Sequence, residues 1–239
     1  MASIFRKIAI LCLLAIPIAV LGTRMEIWGF KIGLLIIAIS FLLSVLIFLV
    51  CAILRTVHKQ KKPQSSKSAA TAMWLSLMPV IGIGFVIVNA IGVPRIHNIS
   101  TDVIDPPVFE QIIAMRAASD NPLEYNVDDL AAVQLAAYPD VKTIYTDGSV
   151  MQAHDLAVAT VTQLGWEIIS SDAITGIIEA SDTSRLWGFT DDVVIRLRHE
   201  EGTNKVAVDL RSVSRVGQSD LGANAKRITK FIETFSKQG

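Results

Sequence analysis

Acidic residues are almost absent from the first 94 positions, where Glu26 stands alone beside nine Lys or Arg. Positions 95–239 show the reverse excess, with thirteen Lys or Arg against twenty-one Asp or Glu. The formal net charge of zero therefore combines a basic part at +8 with an acidic part at −8. Because an acidic domain repels phosphate backbones, nucleic-acid binding is not expected.

Cysteine is absent from positions 95–239, and the two cysteines of the chain, Cys12 and Cys51, lie within apolar runs. The C-terminal part therefore has neither a disulfide framework nor a thiolate metal site. It is long enough to bury a core of its own without such crosslinks. We interpret both cysteines as small apolar residues in lipid or helix contacts.

Familiar catalytic spacings are missing as well. The sequence has no Gly-rich phosphate loop before a Lys-Ser/Thr pair and no His-Glu-x-x-His. Gly217 and Ser219 begin like a nucleophile elbow, but Leu221 occupies the position of the closing glycine. We therefore expect no cofactor and no metal.

Three long apolar runs fill the N-terminal part instead. They predict transmembrane helices at about residues 4–22, 33–54 and 72–93, with residues 1–94 as a membrane anchor. The first run also fits a signal peptide, because a charged start precedes a short apolar region. We interpret residues 64–68 as a small polar loop.

The connection between the second and third runs sets the expected topology. Arg55, Lys59, Lys61, Lys62 and Lys67 lie in it without an acid. Short loops rich in Lys and Arg stay in the cytoplasm. We therefore expect a multi-pass protein of the bacterial inner membrane, with a cytoplasmic N-terminus and a periplasmic C-terminal domain. Cleavage of the first run would leave that domain on the same side.

Residues 95–239 predict one α+β domain. Helices are expected at 107–118, 127–137, 150–164 and 219–236, the last capped by Ser219 or Asp220. Strands are expected at 166–170, 174–180, 193–198 and 205–213, with residues 186–189 as a third strand or an edge. Short hairpin connections indicate an antiparallel sheet with helices packed on one face.

The most concentrated group of charged residues lies on the last two predicted strands. Antiparallel pairing sets Arg196 beside Asp209, and arginines next to a helix start favour an anion site. The candidate binding set comprises Arg196, Arg211, Ser214, Arg215, Ser219 and Asn224. In the alternative interpretation, Asp191, Asp192 and Asp220 neutralise these arginines in a structural network.

A second candidate site combines His97 with Asp102 and Asp105, the residue types of a general base oriented by an acid. Its structural alternative is a turn held by Ser100, Thr101 and Asp102. Three functional hypotheses follow. The first is a non-catalytic module that binds a small anion, a lipid or an envelope protein, and the second is an envelope hydrolase using His97 with Asp102 or Asp105. The third is a purely structural subunit of a membrane complex.

Three segments carry a resemblance to a known family: residues 95–109, containing His-Asn-Ile-Ser-Thr-Asp and Asp-Pro-Pro-Val-Phe, residues 187–196, and residues 211–224, containing Arg-Ser-Val-Ser-Arg-Val-Gly-Gln-Ser-Asp-Leu-Gly. They resemble an uncharacterised membrane-protein family of bacteria and plastid-bearing organisms with a C-terminal domain of unknown function. The resemblance covers essentially the whole C-terminal domain and implies no particular activity.

Overall fold

The computed structural model describes residues 2–58 and 63–238. The chain divides into two compact units. The first comprises residues 1–92 and 185–188, and the second comprises residues 93–184 and 189–239.

The described part of the first unit contains three helices, α1 (Ala2–Arg24), α2 (Phe30–His58) and α3 (Pro63–Ala90). By length and composition, all three are candidate membrane spans. Small side chains such as Ala9, Ala69 and Ser44 are buried where the helices pack together. Small residues let apolar helices approach closely, so dispersion contacts can hold the bundle in lipid. The three expected apolar helices are therefore confirmed.

The expected polar loop at residues 64–68 is wrong, because α3 already begins at Pro63. Proline suits the first helical position, where its missing N–H has no intrahelical partner. The serines and Lys67 that follow are polar but do not break a helix. The helix ends at Ala90 rather than at residue 93.

The described part of the second unit contains one antiparallel sheet of six strands, β1 (Asn98–Ser100), β2 (Ile144–Asp147), β3 (Glu167–Asp172), β4 (Ile177–Thr183), β5 (Thr190–His199) and β6 (Lys205–Ser214). The strand order is β1-β6-β5-β4-β3, and β2 also pairs with β6. Asn98 opposes Val213, whereas Ile144 opposes Val208. β1 and β2 therefore share one edge of β6.

Helices α4 (Val127–Ala137), α5 (Val150–Leu164) and α6 (Ala223–Ser236) complete this unit. Ala157 and Val161 of α5 and Phe231 of α6 join the core with Val193 and Ile195 of the sheet. The expected α+β fold, with helices packed on an antiparallel sheet, is confirmed.

Local signals fix α5 at both ends, as the sequence predicts. Ser149 and Gln152 form a reciprocal capping box that satisfies backbone amides at the start of the helix. Gly165 ends it with φ +76, a left-handed conformation that is unfavourable for residues with a side chain.

The opposite face of the sheet is covered by irregular chain from residues 101–125. The helix expected at 107–118 is wrong, because only a 3₁₀ turn at Ile112–Met115 forms there. The buried carboxylate of Glu179 accepts the N–H groups of Glu110, Gln111 and Ile112 at 2.6, 3.1 and 2.7 Å. Since a strand residue satisfies these amides, the segment needs no helix to hide them.

The strand or edge expected at residues 186–189 is also wrong. The N–H of Ser184 donates to the carbonyl of Phe189 at 2.7 Å, which closes a turn between β4 and β5. Gly188 lies in this turn with φ +73, a backbone conformation that does not continue a strand.

Candidate functional site

Arg196 and Arg198 project from β5 on the face away from α5 and α6. Arg196 opposes Asp209 in the sheet register, with 3.1 Å between Nη2 and Oδ2, and Arg198 reaches the same carboxylate at 2.8 Å. Asp105 lies 3.0 Å from Arg196, and Asp102 lies 3.2 Å from Arg198. Two guanidinium groups thus meet three carboxylates, an arrangement that leaves no excess positive charge for an anion.

The protonation of Arg198 follows from these contacts. Partial burial disfavours its charged form, but the carboxylates of Asp209, Asp102 and Asp105 outweigh that effect and hold its pKa above the usual value. Arg198 therefore remains cationic at neutral pH and paired with these carboxylates.

Arg215 pairs with Asp192 at the other end of the same face. Its Nε lies 3.1 Å from Oδ2 and its Nη2 lies 2.8 Å from Oδ1. Hydrogen bonding to Asp192 raises the pKa of Arg215. The fully buried carboxylate of Asp192 also accepts a hydrogen bond from Arg116. Both guanidinium groups are thereby tied to a structural partner.

Arg211 is the exception, because no carboxylate pairs with it within the described residues. It is only 4% exposed and donates to Asn98 Oδ1 and to the carbonyl of Pro107, each at 3.0 Å. Its guanidinium lies 5.4 Å from the ring centroid of Phe109 and 5.6 Å from that of Tyr125. Burial lowers its pKa to about 10. These contacts enclose the cation rather than offering it to a ligand.

Ser214 and Asn224 lie on the helix-covered face of the sheet, opposite the face that carries Arg196 and Arg211. The Asn224 amide donates to Ser214 Oγ at 2.9 Å and to the carbonyl of His97 at 3.0 Å. Its carbonyl oxygen accepts from Arg227, which also contacts Asp191. The sheet therefore divides the candidate binding set of the sequence analysis between its two faces.

The predicted start of α6 is wrong, because the helix begins at Ala223 and neither Ser219 nor Asp220 is its N-cap residue. Gly222 is the N-cap residue, and the Asp220 carboxylate accepts the N–H groups of Gly222 and Asn224 at 2.8 and 2.9 Å. Ser219 donates its hydroxyl to the carbonyl of Pro94 at 3.3 Å. Ser219 is thus part of the connection into the helix and is not joined to Arg211 or Arg215.

His97 and the two candidate carboxylates flank β1 at opposite ends. The carbonyl of His97 accepts the N–H of Ser214, whereas Asp102 contacts the arginines that surround Asp209. Ser214 and Asp209 are therefore about 16 Å apart along β6, at roughly 3.3 Å per residue. The structure therefore does not bring His97 together with Asp102. In residues 2–58 and 63–238, no three His, Cys, Asp or Glu side chains are grouped to hold a metal ion.

A groove of about 600 Å³ opens beside β2, and we call it the edge groove. It lies between β2, the first half of α5 and the end of α6. The lining residues are Ile144, Tyr145, Thr146, Asp147, Gly148, Gln152, Ala153, Leu156, Lys205, Phe235 and Ser236. None of the sites predicted from the sequence includes this groove, because β2 is not among the expected strands. The available signal was the run of β-branched and aromatic residues at 143–146, which Asp147 and Gly148 end.

The fold and these sites define a protein with three candidate membrane-spanning helices and an α+β domain whose sheet is covered on both faces. Residues 98–235 match the family described as "Protein of unknown function (DUF1499)", and the chain belongs to this family. The match extends from β1 to α6, which confirms a C-terminal domain of unknown function. Comparison with curated proteins gives no match.

Proposed function

We propose that the chain is a non-catalytic binding protein of the bacterial inner membrane, whose α+β domain faces the periplasm and holds a ligand in the edge groove. The basic connection between α2 and α3 supports this topology. It carries five Lys or Arg and no acid, as cytoplasmic loops do. Since α3 follows that connection, the domain after it belongs on the opposite side.

The edge groove is the observation that carries the binding role. Its volume of about 600 Å³ lies within the range of small-molecule sites. Within the described residues, neither the Lys205 ammonium nor the Tyr145 hydroxyl forms a hydrogen bond or ion pair. These groups are therefore open to a ligand, in contrast to the arginines of the opposite face.

The lining indicates the chemistry of that ligand. Ile144, Leu156 and Phe235 offer apolar surface, whereas Thr146 and Lys205 offer hydrogen-bonding groups. Sites that combine apolar walls with a few polar groups fix both the affinity and the orientation of a ligand. We therefore propose a small amphipathic molecule as the ligand class. A hydrolase is the weaker hypothesis, since His97 lies apart from Asp102.

Native mass spectrometry of the full-length protein, gently extracted from its own membrane, tests this proposal. Wild-type protein should carry a discrete added mass, which the Tyr145→Ala/Lys205→Ala variant should lose. The matched control Met151→Ala/Lys230→Ala removes an exposed apolar side chain and an exposed lysine outside the groove, and it should retain the mass. A wild-type protein without an added mass, or equal retention in both variants, would argue against the groove as a binding site.

A further inference from the structure

The ends of α2 and α3 enclose a second cavity, remote in sequence from the edge groove. It has a volume of about 530 Å³. Arg55 and Thr56 line it from α2, and Ser66 and Lys67 line it from α3. Ala52, Ala70 and Met73 form the apolar part of its wall. The cavity thus joins two cations to a hydrocarbon-like surface.

The position of the cavity matches the boundary of a membrane. Residues 32–54 of α2 contain no charged side chain, and Arg55 is the first that follows them. Residues 68–94 likewise contain none, and Lys67 directly precedes them. Arg55 and Lys67 therefore mark the same end of two apolar spans, where lipid headgroups lie in a bilayer.

The electrostatics of the cavity favour an anion. Within the described residues, neither Arg55 nor Lys67 forms an ion pair, and both side chains are exposed. Residues 55–67 contain no Asp or Glu that could neutralise them locally. A phosphate diester suits this pair, because a guanidinium offers a two-point contact and an ammonium adds a point charge.

The hydroxyl groups refine the choice of headgroup. Thr56 donates its hydrogen to the carbonyl of Ile53 at 2.7 Å, and Ser66 donates to the carbonyl of Arg55 at 3.3 Å. Their oxygen atoms remain available as acceptors. A headgroup that carries its own hydroxyl groups gains hydrogen bonds there, whereas a quaternary ammonium places a third cation beside Arg55 and Lys67.

We propose that this cavity binds an anionic phospholipid, with the phosphate held by Arg55 and Lys67 and an acyl chain lying along Ala52, Ala70 and Met73. Basic pockets between transmembrane helices are suited to such headgroups. The positive-inside rule explains why the connection is basic, but it does not require two of the cations to line a cavity. The proposal does not depend on the function assigned to the edge groove.

The test measures binding of phosphatidylglycerol to the delipidated, detergent-solubilised full chain by native mass spectrometry. Arg55→Gln/Lys67→Gln removes both cations from the cavity. The matched control Arg6→Gln/Lys7→Gln removes the same charge from two exposed residues near the start of α1 that do not line the cavity. We expect the cavity variant to lose about tenfold more affinity than the control. Equal losses would show that general attraction to the basic residues of the helices accounts for binding, and would overturn the proposal.

Two further arms identify the ligand and the role of the cavity. Phosphatidylcholine has the phosphate but no net charge, so it should bind more weakly than phosphatidylglycerol, and equal affinity would contradict an anionic site. Inorganic phosphate should not displace the bound lipid, whereas displacement would assign the site to a soluble phosphate.

Ala70→Leu narrows the cavity without changing charge and should also weaken lipid binding. If a folded Ala70→Leu protein binds the lipid as tightly as wild type, the acyl chain does not lie along this apolar wall.

Discussion

Arg215 and Asp192 form a two-point ion pair in which the carboxylate is completely buried, with 2.8 Å between Nη2 and Oδ1. Asp192 also accepts a hydrogen bond from Arg116, so one carboxylate holds guanidinium groups from two separate segments. The sequence predicts a ligand-binding role for Arg215, whereas its ion pair with Asp192 gives it a structural one. Removing the carboxylate of Asp192 tests how much this structural role contributes to stability.

Asp192→Ala should destabilise the domain by about 3–5 kcal/mol, because two largely buried cations lose their partner. The matched control is Asp155→Ala, whose side chain is 80% exposed and should change stability by no more than about 0.5 kcal/mol. Thermal or denaturant unfolding of the detergent-solubilised chain measures both. Similar small effects in the two variants would show that the pair with Arg215 contributes little to the fold.

Glu179→Gln should loosen the segment that covers the second face of the sheet. The native carboxylate accepts three N–H groups, and replacing one oxygen with an NH₂ group turns an acceptor toward a donor. Hydrogen exchange at Glu110, Gln111 and Ile112 should accelerate at least tenfold, or about 1.4 kcal/mol, relative to wild type. If these amides exchange at the wild-type rate in the variant, the proposed role of Glu179 is contradicted.

The elements that could be predicted are those whose ends or periodicity are marked by residues close together in the sequence. Ser149 and Gly165 lie at the ends of α5, and the alternation of Val193, Ile195 and Leu197 marks a long strand, so these elements followed from adjacent residues. β1 contains only Asn98–Ser100, and its pairing with Val213 joins positions far apart in sequence. A three-residue strand has too little periodicity to reveal itself without its partner.

The candidate site was less predictable than the fold because its contacts are nonlocal. The register placed Arg196 beside Asp209 as the sequence indicated. No local pattern places Asp102 and Asp105 against the same arginine, since the irregular segment after β1 carries them there. For Arg211, the decisive feature was enclosure by Phe109 and Tyr125, which strand alternation does not encode.

Tyr125 should make the domain sensitive to alkaline pH. Burial raises the pKa of its hydroxyl to about 12, so the unfolded chain releases this proton first, near pH 10. The stability of wild type relative to Tyr125→Phe should therefore fall by about 1.4 kcal/mol per pH unit between roughly pH 10 and 12. Below pH 9 the wild type should be the more stable by about 1 kcal/mol, because its hydroxyl bonds to Gln134 Oε1.

Unfolding at several pH values tests this titration, with Tyr145→Phe as the matched control. Tyr145 is 53% exposed, so its replacement removes a tyrosine hydroxyl from the surface instead of the core. A Tyr125→Phe difference that stays constant from pH 9 to about 11.5 would contradict the raised pKa.

Cysteine labelling should resolve the proposed topology, because the native thiols of Cys12 and Cys51 are buried in α1 and α2. Ile174→Cys places a thiol at a position that is 95% exposed in the α+β domain, and Gln64→Cys places one at the exposed start of α3. In cells with a permeabilised outer membrane, a membrane-impermeant maleimide should label the residue-174 thiol directly. It should reach the residue-64 thiol only after the inner membrane is broken. The wild-type chain should stay unlabelled in intact cells, and the reverse labelling order would place the domain in the cytoplasm.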